Sequence, residues 1–318
     1  MVLIKNVDGS IWNIEQVVVD MIYEYQQKGM LYINLSSEGP DASCLGLYTI
    51  LDNLCNKFKF KKNKIFIETN NVLEFNLEYN IIINAPLYVD YGQQFIKNNI
   101  ILPKSIKKHF GIFIGRSNWT RLDLSAEIYN LYRDKSLQTF HYDSSSDFHK
   151  NHLGLEKLLH TKGCDQISRI NKLILASPIR EEIPQYPILA PAHLEIAKLY
   201  PDFFVEIVCE TYSLGKSLYP TEKIWRPIMC LTPFIVQGPI DYLKNLKQLG
   251  FKTFANYWDE SYDKDGFYGI NTIKQNLKSL SELSIEELTS MYRDMQPILE
   301  HNRDVFMSIT ESSWDIFK

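Results

Sequence analysis

Short runs rich in β-branched and aromatic residues recur along the chain. Each is bounded by turn formers and separated from the next by a helix-length pattern. In the first half they are "LYINLSS" (31–37), "KIFIETN" (64–70), "NIIINA" (80–85), "GIFIGR" (111–116) and "LQTFHYD" (137–143). In the second half they are "KLILAS" (172–177), "FFVEIVCE" (203–210) and "PFIVQG" (233–238). Between them, "CLGLYTILDNLCNKF" sets Leu47, Ile50, Leu51 and Leu54 on one helical face, and "RLDLSAEIYNLYRD" does the same with Leu122, Leu124, Ile128 and Leu131. "PAHLEIAKLY", "PTEKIWRPIMC" and "PIDYLKNLKQLG" read as helices of the second half. Nearly continuous apolar strands alternating with helices predict an α/β fold whose sheets are mainly parallel, with helices on both faces.

A length of 318 residues suits two domains of about 150 each. The polar stretch 144–171, with "SSSD" and "TKGCD", places the joint. The expected division is 1–160, 161–295, and a closing helical segment 296–318 packing back on the N-terminal unit. Pro297, inside "SIEELTSMYRDMQPILEHNRDVFMSI", is expected to kink or break that helix. Two α/β units in succession make the cleft between them the first place to look for a ligand.

The net charge of −4 argues against a general nucleic-acid binder, though a local basic pocket remains compatible with it. Five cysteines without a CxxC pair read as reduced thiols and argue against a zinc site. The N-terminus shows no basic segment followed by a long apolar one, and no run approaches bilayer length. The expectation is a soluble, cytoplasmic protein with no membrane span.

Charge concentrates in "ETYSLGKSLYPTEKIWRP" (210–227), between two apolar flanks. Glu210 ends a predicted strand, Gly215 allows a tight turn, and Pro220 is placed in the first turn of a helix. Thr221, Glu222 and Lys223 follow in that turn. Unsatisfied N–H groups and the positive end of the helix dipole there suit a diphosphate, Lys223 adds a full charge, and Glu210 or Glu222 can accept from ribose hydroxyls. The plainer alternative is a helix start whose Glu222 complements the dipole while Lys216 and Lys223 are solvated.

The string Glu210 … Tyr219-Pro220-Thr221-Glu222-Lys223 … "PFIVQGP" resembles the donor-binding motif of α-1,3-fucosyltransferases. The wider pattern over 203–263 is similar to uncharacterised glycosyltransferases of large DNA viruses, phages and marine bacteria. The resemblance implies two Rossmann-like domains facing across a cleft (GT-B) and metal-independent, inverting transfer from a nucleotide-sugar donor to a glycan or glycoprotein acceptor. It implies no cofactor besides that co-substrate, and a cytoplasmic site (host cytoplasm for a viral chain). It assigns donor contacts to Glu210, Tyr219, Thr221, Glu222 and Lys223, with the lysine on the diphosphate and a glutamate on the ribose. Thr211 stands where the fucosyltransferases carry an asparagine, which leaves the donor sugar open.

Arg116, at a strand end, and Arg121, at a helix start, offer guanidinium forks for the diphosphate; Arg121 is alternatively a surface partner of Asp123 or Glu127. For the general base that inversion requires, Glu38 is the first candidate and Asp41 the second, Asp41 also suiting a helix cap. His141 and Asp143 are candidates for acceptor contacts, while His149 and His152 read as plain loop. Asp259, Glu260 and Asp263 in "YWDESYD" are the alternative, a metal-dependent single-Rossmann (GT-A) site, or else donor contacts. A non-catalytic nucleotide- or glycan-binding protein of the same fold is the remaining alternative.

Overall fold

The computed structural model describes residues 1–4, 6–7, 10–11, 13–35, 39–84, 93, 95–97, 103–115, 119–142, 163–181 and 192–317. Glu38, Arg116, Asp143, His149 and His152 lie outside them.

The described chain builds two four-stranded sheets, each with all neighbours parallel, and a small antiparallel ribbon of β2 (Asn6–Val7) and β3 (Ser10–Ile11). The first sheet runs in the order β1 (Val2–Leu3), β4 (Leu31–Leu35), β5 (Ile65–Thr69) and β6 (Asn80–Ile83). Helix α1 (Ile14–Lys28) connects β1 to β4, and α2 (Leu47–Phe58) connects β4 to β5. Every step moves the same way across the sheet, so right-handed crossovers put both helices on one face. They touch each other there. Leu47, Leu51 and Leu54 are the buried residues of α2, as the helical spacing predicts. β4 alternates accordingly: Leu31, Ile33 and Leu35 are buried, while Tyr32 stays exposed and stacks on Phe66 with ring centroids 4.7 Å apart. Helices on both faces, the expectation from the sequence, are therefore not found on this sheet among the described residues.

The second sheet has the order β10 (Phe234–Gln237), β9 (Phe203–Cys209), β7 (Lys108–Ile114) and β8 (Ser136–Phe140). The chain leaves β7 through α3 (Trp119–Leu131) to reach β8 on one side, then crosses back to β9 on the other. From β9 it continues through α6 (Glu222–Met229) to β10. This reversal covers both faces, and all seven residues of β9 are buried. The long α9 (Ile285–Ser308) packs on β7, β9 and α6, with Phe306 stacked on Trp225 at 4.7 Å.

Four expectations change. The boundary at 160 does not coincide with the division of sheets, because β7 and β8 pair into the same sheet as β9. "KLILAS" is no strand but the end of a helix, α4 (Cys164–Ala176), whose buried Ile170 and Leu173 belong to a helical repeat starting upstream. α3 is buried around its whole circumference from Trp119 to Ile128, whereas Leu131 is exposed. α9 continues through Pro297, and Met295, Leu299 and Phe306 hold it to the second core rather than to the first unit. The apolar core is correspondingly split in two. One cluster joins the first sheet to α1 and α2, and the other surrounds the second sheet. Among the described residues no helix is long and apolar enough to cross a membrane.

Candidate functional site

Adjacent parallel strands whose onward connections depart in opposite directions leave a crevice beyond their carboxyl ends, where α/β sheets bind ligands. In the second sheet that place lies between β7 and β9. Arg121, two residues into the helix after β7, crosses it. Its Nε donates to the Glu210 carbonyl at 3.4 Å and its Nη2 to Thr211 Oγ1 at 2.9 Å. The guanidinium is buried and holds the turn after β9; the alternative of a surface partner for Asp123 or Glu127 does not apply. Asp123 faces Lys274 instead, at 2.6 Å, and Glu127 faces Arg169, at 2.9 Å.

Glu210 directly follows β9 in a closed setting. Its Oε2 accepts from Thr221 Oγ1 at 2.7 Å, and its Oε1 from the Tyr242 hydroxyl at 2.6 Å and the Thr221 amide at 3.4 Å. Burial pushes its carboxyl pKa up, opposed by the nearby Lys223 charge. Glu210 thus anchors the helix start from behind. Thr221 is the N-cap of α6 itself, and Pro220 precedes the cap instead of entering the first turn. The Thr221 hydroxyl accepts from the Lys223 amide at 3.2 Å while donating to Glu210, so one side chain joins strand end to helix start.

Glu222 and Lys223, half-buried, form the outer layer. Lys223 Nζ meets Glu222 Oε1 at 2.8 Å and Thr221 Oγ1 at 3.3 Å. Acid and base in the first helical turn neutralise one another. Tyr219, also half-buried, precedes them, its Cβ against Gly39 of the first unit.

The carboxyl edge of the first sheet reaches the same place. Asp41 Oδ1 accepts from the Cys44 amide at 3.0 Å and Oδ2 from the Lys216 amide at 2.8 Å. Both oxygens thus serve a turn and a contact between the units; Asp41 caps no helix, the N-cap of α2 being Gly46 with no side-chain hydrogen bond. Gly215 has φ 70°, and a Cβ there would lie 2.5 Å from Asp41 Oδ2, so this position requires glycine.

His141 follows β8, on the far side of β7 from β9, and its buried Nδ1 has no hydrogen-bond partner among the described residues. Asp259, Glu260 and Asp263 are engaged locally. Asp263 accepts from the Leu243 and Lys244 amides at 2.6 and 3.0 Å, Glu260 from Thr253 and Phe254, and Asp259 from the Ser261 amide. No group of three or more His, Cys, Asp or Glu suited to a metal occurs among the described residues.

Two residues escaped the sequence reading. Tyr242, on α7 (Tyr242–Gln248), completes the Glu210 shell, and no local pattern marks a tyrosine 32 positions away as a partner. Gln237 ends β10 as a buried amide with neither polar atom hydrogen-bonded among the described residues. A polar residue closing the apolar run "PFIV" was its visible signal. A separate cleft of about 430 Å³, lined by Lys104, Cys230, Tyr292 and Arg293 among others, contains none of the residues singled out above.

No protein-family model matches the chain, and no curated protein matches it. Among solved structures the chain is similar to the N-terminal domain of trehalose-6-phosphate phosphatase from Candida albicans, at 10% identity and a TM-score of 0.35. The match covers 96% of this chain and 76% of that one, a similarity too loose to bear on fold or activity.

Proposed function

We propose that the protein is a nucleotide-sugar-dependent glycosyltransferase of two-Rossmann (GT-B) build. The observation that supports this most is a capped helix start, bearing Glu222 and Lys223, at the carboxyl end of β9 beside the strand-order reversal. In this reading Lys223 leaves Glu222 to meet the donor diphosphate, and Glu222 turns to the ribose hydroxyls. Tyr219 flanks the donor, while Glu210, Thr221 and Arg121 hold these groups in place from behind. Arg116 is the second cation for the diphosphate.

Glu38 is the proposed base, since Asp41 is committed to backbone amides. It takes the proton of an acceptor hydroxyl as that oxygen bonds to the anomeric carbon. The bond from that carbon to the diphosphate breaks, its electron pair leaves with the nucleotide, and the sugar is inverted. The acceptor is a glycan or glycoprotein hydroxyl, and the setting is the cytoplasm.

The test is a thermal-shift screen of UDP- and GDP-sugars together with donor hydrolysis. A ligand that binds only the folded state raises the unfolding temperature, and Lys223→Ala is expected to weaken that ligand at least ~10-fold. If no nucleotide sugar stabilises the wild type, or Lys223→Ala binds as well, the reading is wrong. A second reading, a non-catalytic nucleotide-binding protein, is favoured by one observation: Asp41 and Glu210 both have their oxygens occupied by internal donors. Donor hydrolysis that disappears in Glu38→Gln excludes it.

A further inference from the structure

Residues 215–218 are stitched to the first unit through one side chain above all. Asn71, buried just past β5, accepts at Oδ1 from the Leu218 amide at 2.9 Å and the Leu73 amide at 3.1 Å. Its Nδ2 donates to the Lys216 carbonyl and to Glu74 Oε2, both at 3.3 Å. The Val72 amide adds a bond to the Leu218 carbonyl at 3.2 Å, and the Ser217 hydroxyl donates to the Gly39 carbonyl. Behind Asn71, the buried Glu74 also takes the Ala42 amide at 3.1 Å and the Tyr48 hydroxyl at 2.6 Å, which locks the turn after β5 to the loop after β4. The fit is close. At Gly39, with φ 64°, a Cβ would lie 2.9 Å from both the Asn71 amide nitrogen and Tyr219 Cβ.

The chain then runs from Leu218 to the Thr221 cap through Tyr219 and Pro220. Three residue steps span at most about 10 Å, and the proline ring fixes one of the intervening φ angles. Wherever Asn71 holds Leu218, the start of α6 is restrained too, in addition to the bonds that Glu210 makes to Thr221.

We infer that Asn71 is a positioning residue for the ligand-binding helix start, so that the first unit sets the place of Glu222 and Lys223 without touching the ligand. The inference rests on the binding role proposed above for those two residues. Loss of the Asn71 amide removes this restraint and leaves the helix start to Glu210.

The experiment combines amide hydrogen exchange with titration of UDP and of GDP, in the wild type, Asn71→Ala and the double variant Asn71→Asp/Glu74→Gln. In Asn71→Ala, exchange is expected to quicken at least ~10-fold at Leu218 and onward through Thr221–Ile224, while β10 and α9 stay protected. The dissociation constant of whichever nucleotide binds the wild type is expected to rise by about tenfold or more. The double variant keeps an acceptor for the Leu218 amide and a bond between positions 71 and 74, but loses the donor to the Lys216 carbonyl and the acceptor for the Ala42 amide, so it should recover only the share of both effects that the Leu218 bond carries.

Faster exchange confined to 216–218, with Thr221–Ile224 and nucleotide affinity unchanged, overturns the inference. If neither UDP nor GDP binds the wild type, the functional reading falls. The positioning inference is then decided by exchange alone, on whether the acceleration passes Thr221. Should Asn71→Ala fail to fold, Asn71→Ser, which also removes the bonds to Lys216 and Leu218 but leaves a hydroxyl for the Leu73 amide, is judged by the same criterion.

Discussion

The two sheets share a strand count and a parallel pairing, yet only one of them builds a site of its own. In the first, the order β1-β4-β5-β6 does not reverse among the described residues, so β1, β4 and β5 send their connections the same way. In the second, β7 and β9 part company, and Arg121, Glu210 and the start of α6 gather beyond them. Strand order, more than strand content, locates the candidate site, and the first sheet contributes by holding the far end of the loop.

That contrast can be broken or sharpened by substitution. The largest effect is expected at Arg226, on α6, whose Nη2 lies 3.1 Å from Glu206 Oε1 on β9, with the Tyr200 hydroxyl bonded to both. Both charged groups are at most 2% exposed. Arg226→Met leaves a buried carboxylate without its counter-charge and should cost about 3–5 kcal/mol in urea unfolding. A cost below about 1 kcal/mol would mean that α6 is not anchored on β9 by this pair.

A smaller, pH-dependent effect is expected at Glu210. Burial raises its folded pKa above the ordinary 4.5, so between that value and the raised one the folded state holds more protons than the unfolded chain. The stability it contributes is therefore full below about pH 4.5 and is lost as the pH rises through the folded value. Glu210→Gln removes this dependence, and the variant should gain on the wild type as the pH increases, in unfolding midpoints from pH 4 upward. A difference independent of pH would show that Glu210 titrates alike in both states.

The smallest effect belongs to the open face of the first sheet. Leu3 is 55% exposed there, and Leu3→Lys should change stability by no more than about 0.5 kcal/mol and leave nucleotide binding intact. A clear loss of either would show that this face is covered in solution.

Much of this was legible in the sequence because it depends on near neighbours. The runs at 31–37, 64–70, 80–85, 203–210 and 233–238 contain the strands Leu31–Leu35, Ile65–Thr69, Asn80–Ile83, Phe203–Cys209 and Phe234–Gln237, since β-branched, apolar stretches between turn formers favour pairing in a sheet. The segment 210–223 reads as strand end, glycine turn and helix start for the same local reasons, and Gly215 does adopt a positive φ. "KLILAS" failed because a six-residue apolar window cannot separate strand from helix, and the decisive repeat begins at Ile167 and Ile170, before the window opens. Pro297 does not end α9: it removes one backbone donor, and the apolar contacts of Met295, Leu299 and Phe306 outweigh that loss.

Periodicity and turn chemistry are properties of a few consecutive residues, and the sequence by itself determined them. Tertiary structure alone decided which carboxylates were already occupied. Asp41 met Lys216 across 175 positions and Glu210 met Tyr242 across 32, and Asn71 found Leu218 across 147. Such pairings follow from how the sheets order their strands and pack. A carboxylate's availability for chemistry is set by which donors reach its oxygens, and those donors come from anywhere in the chain.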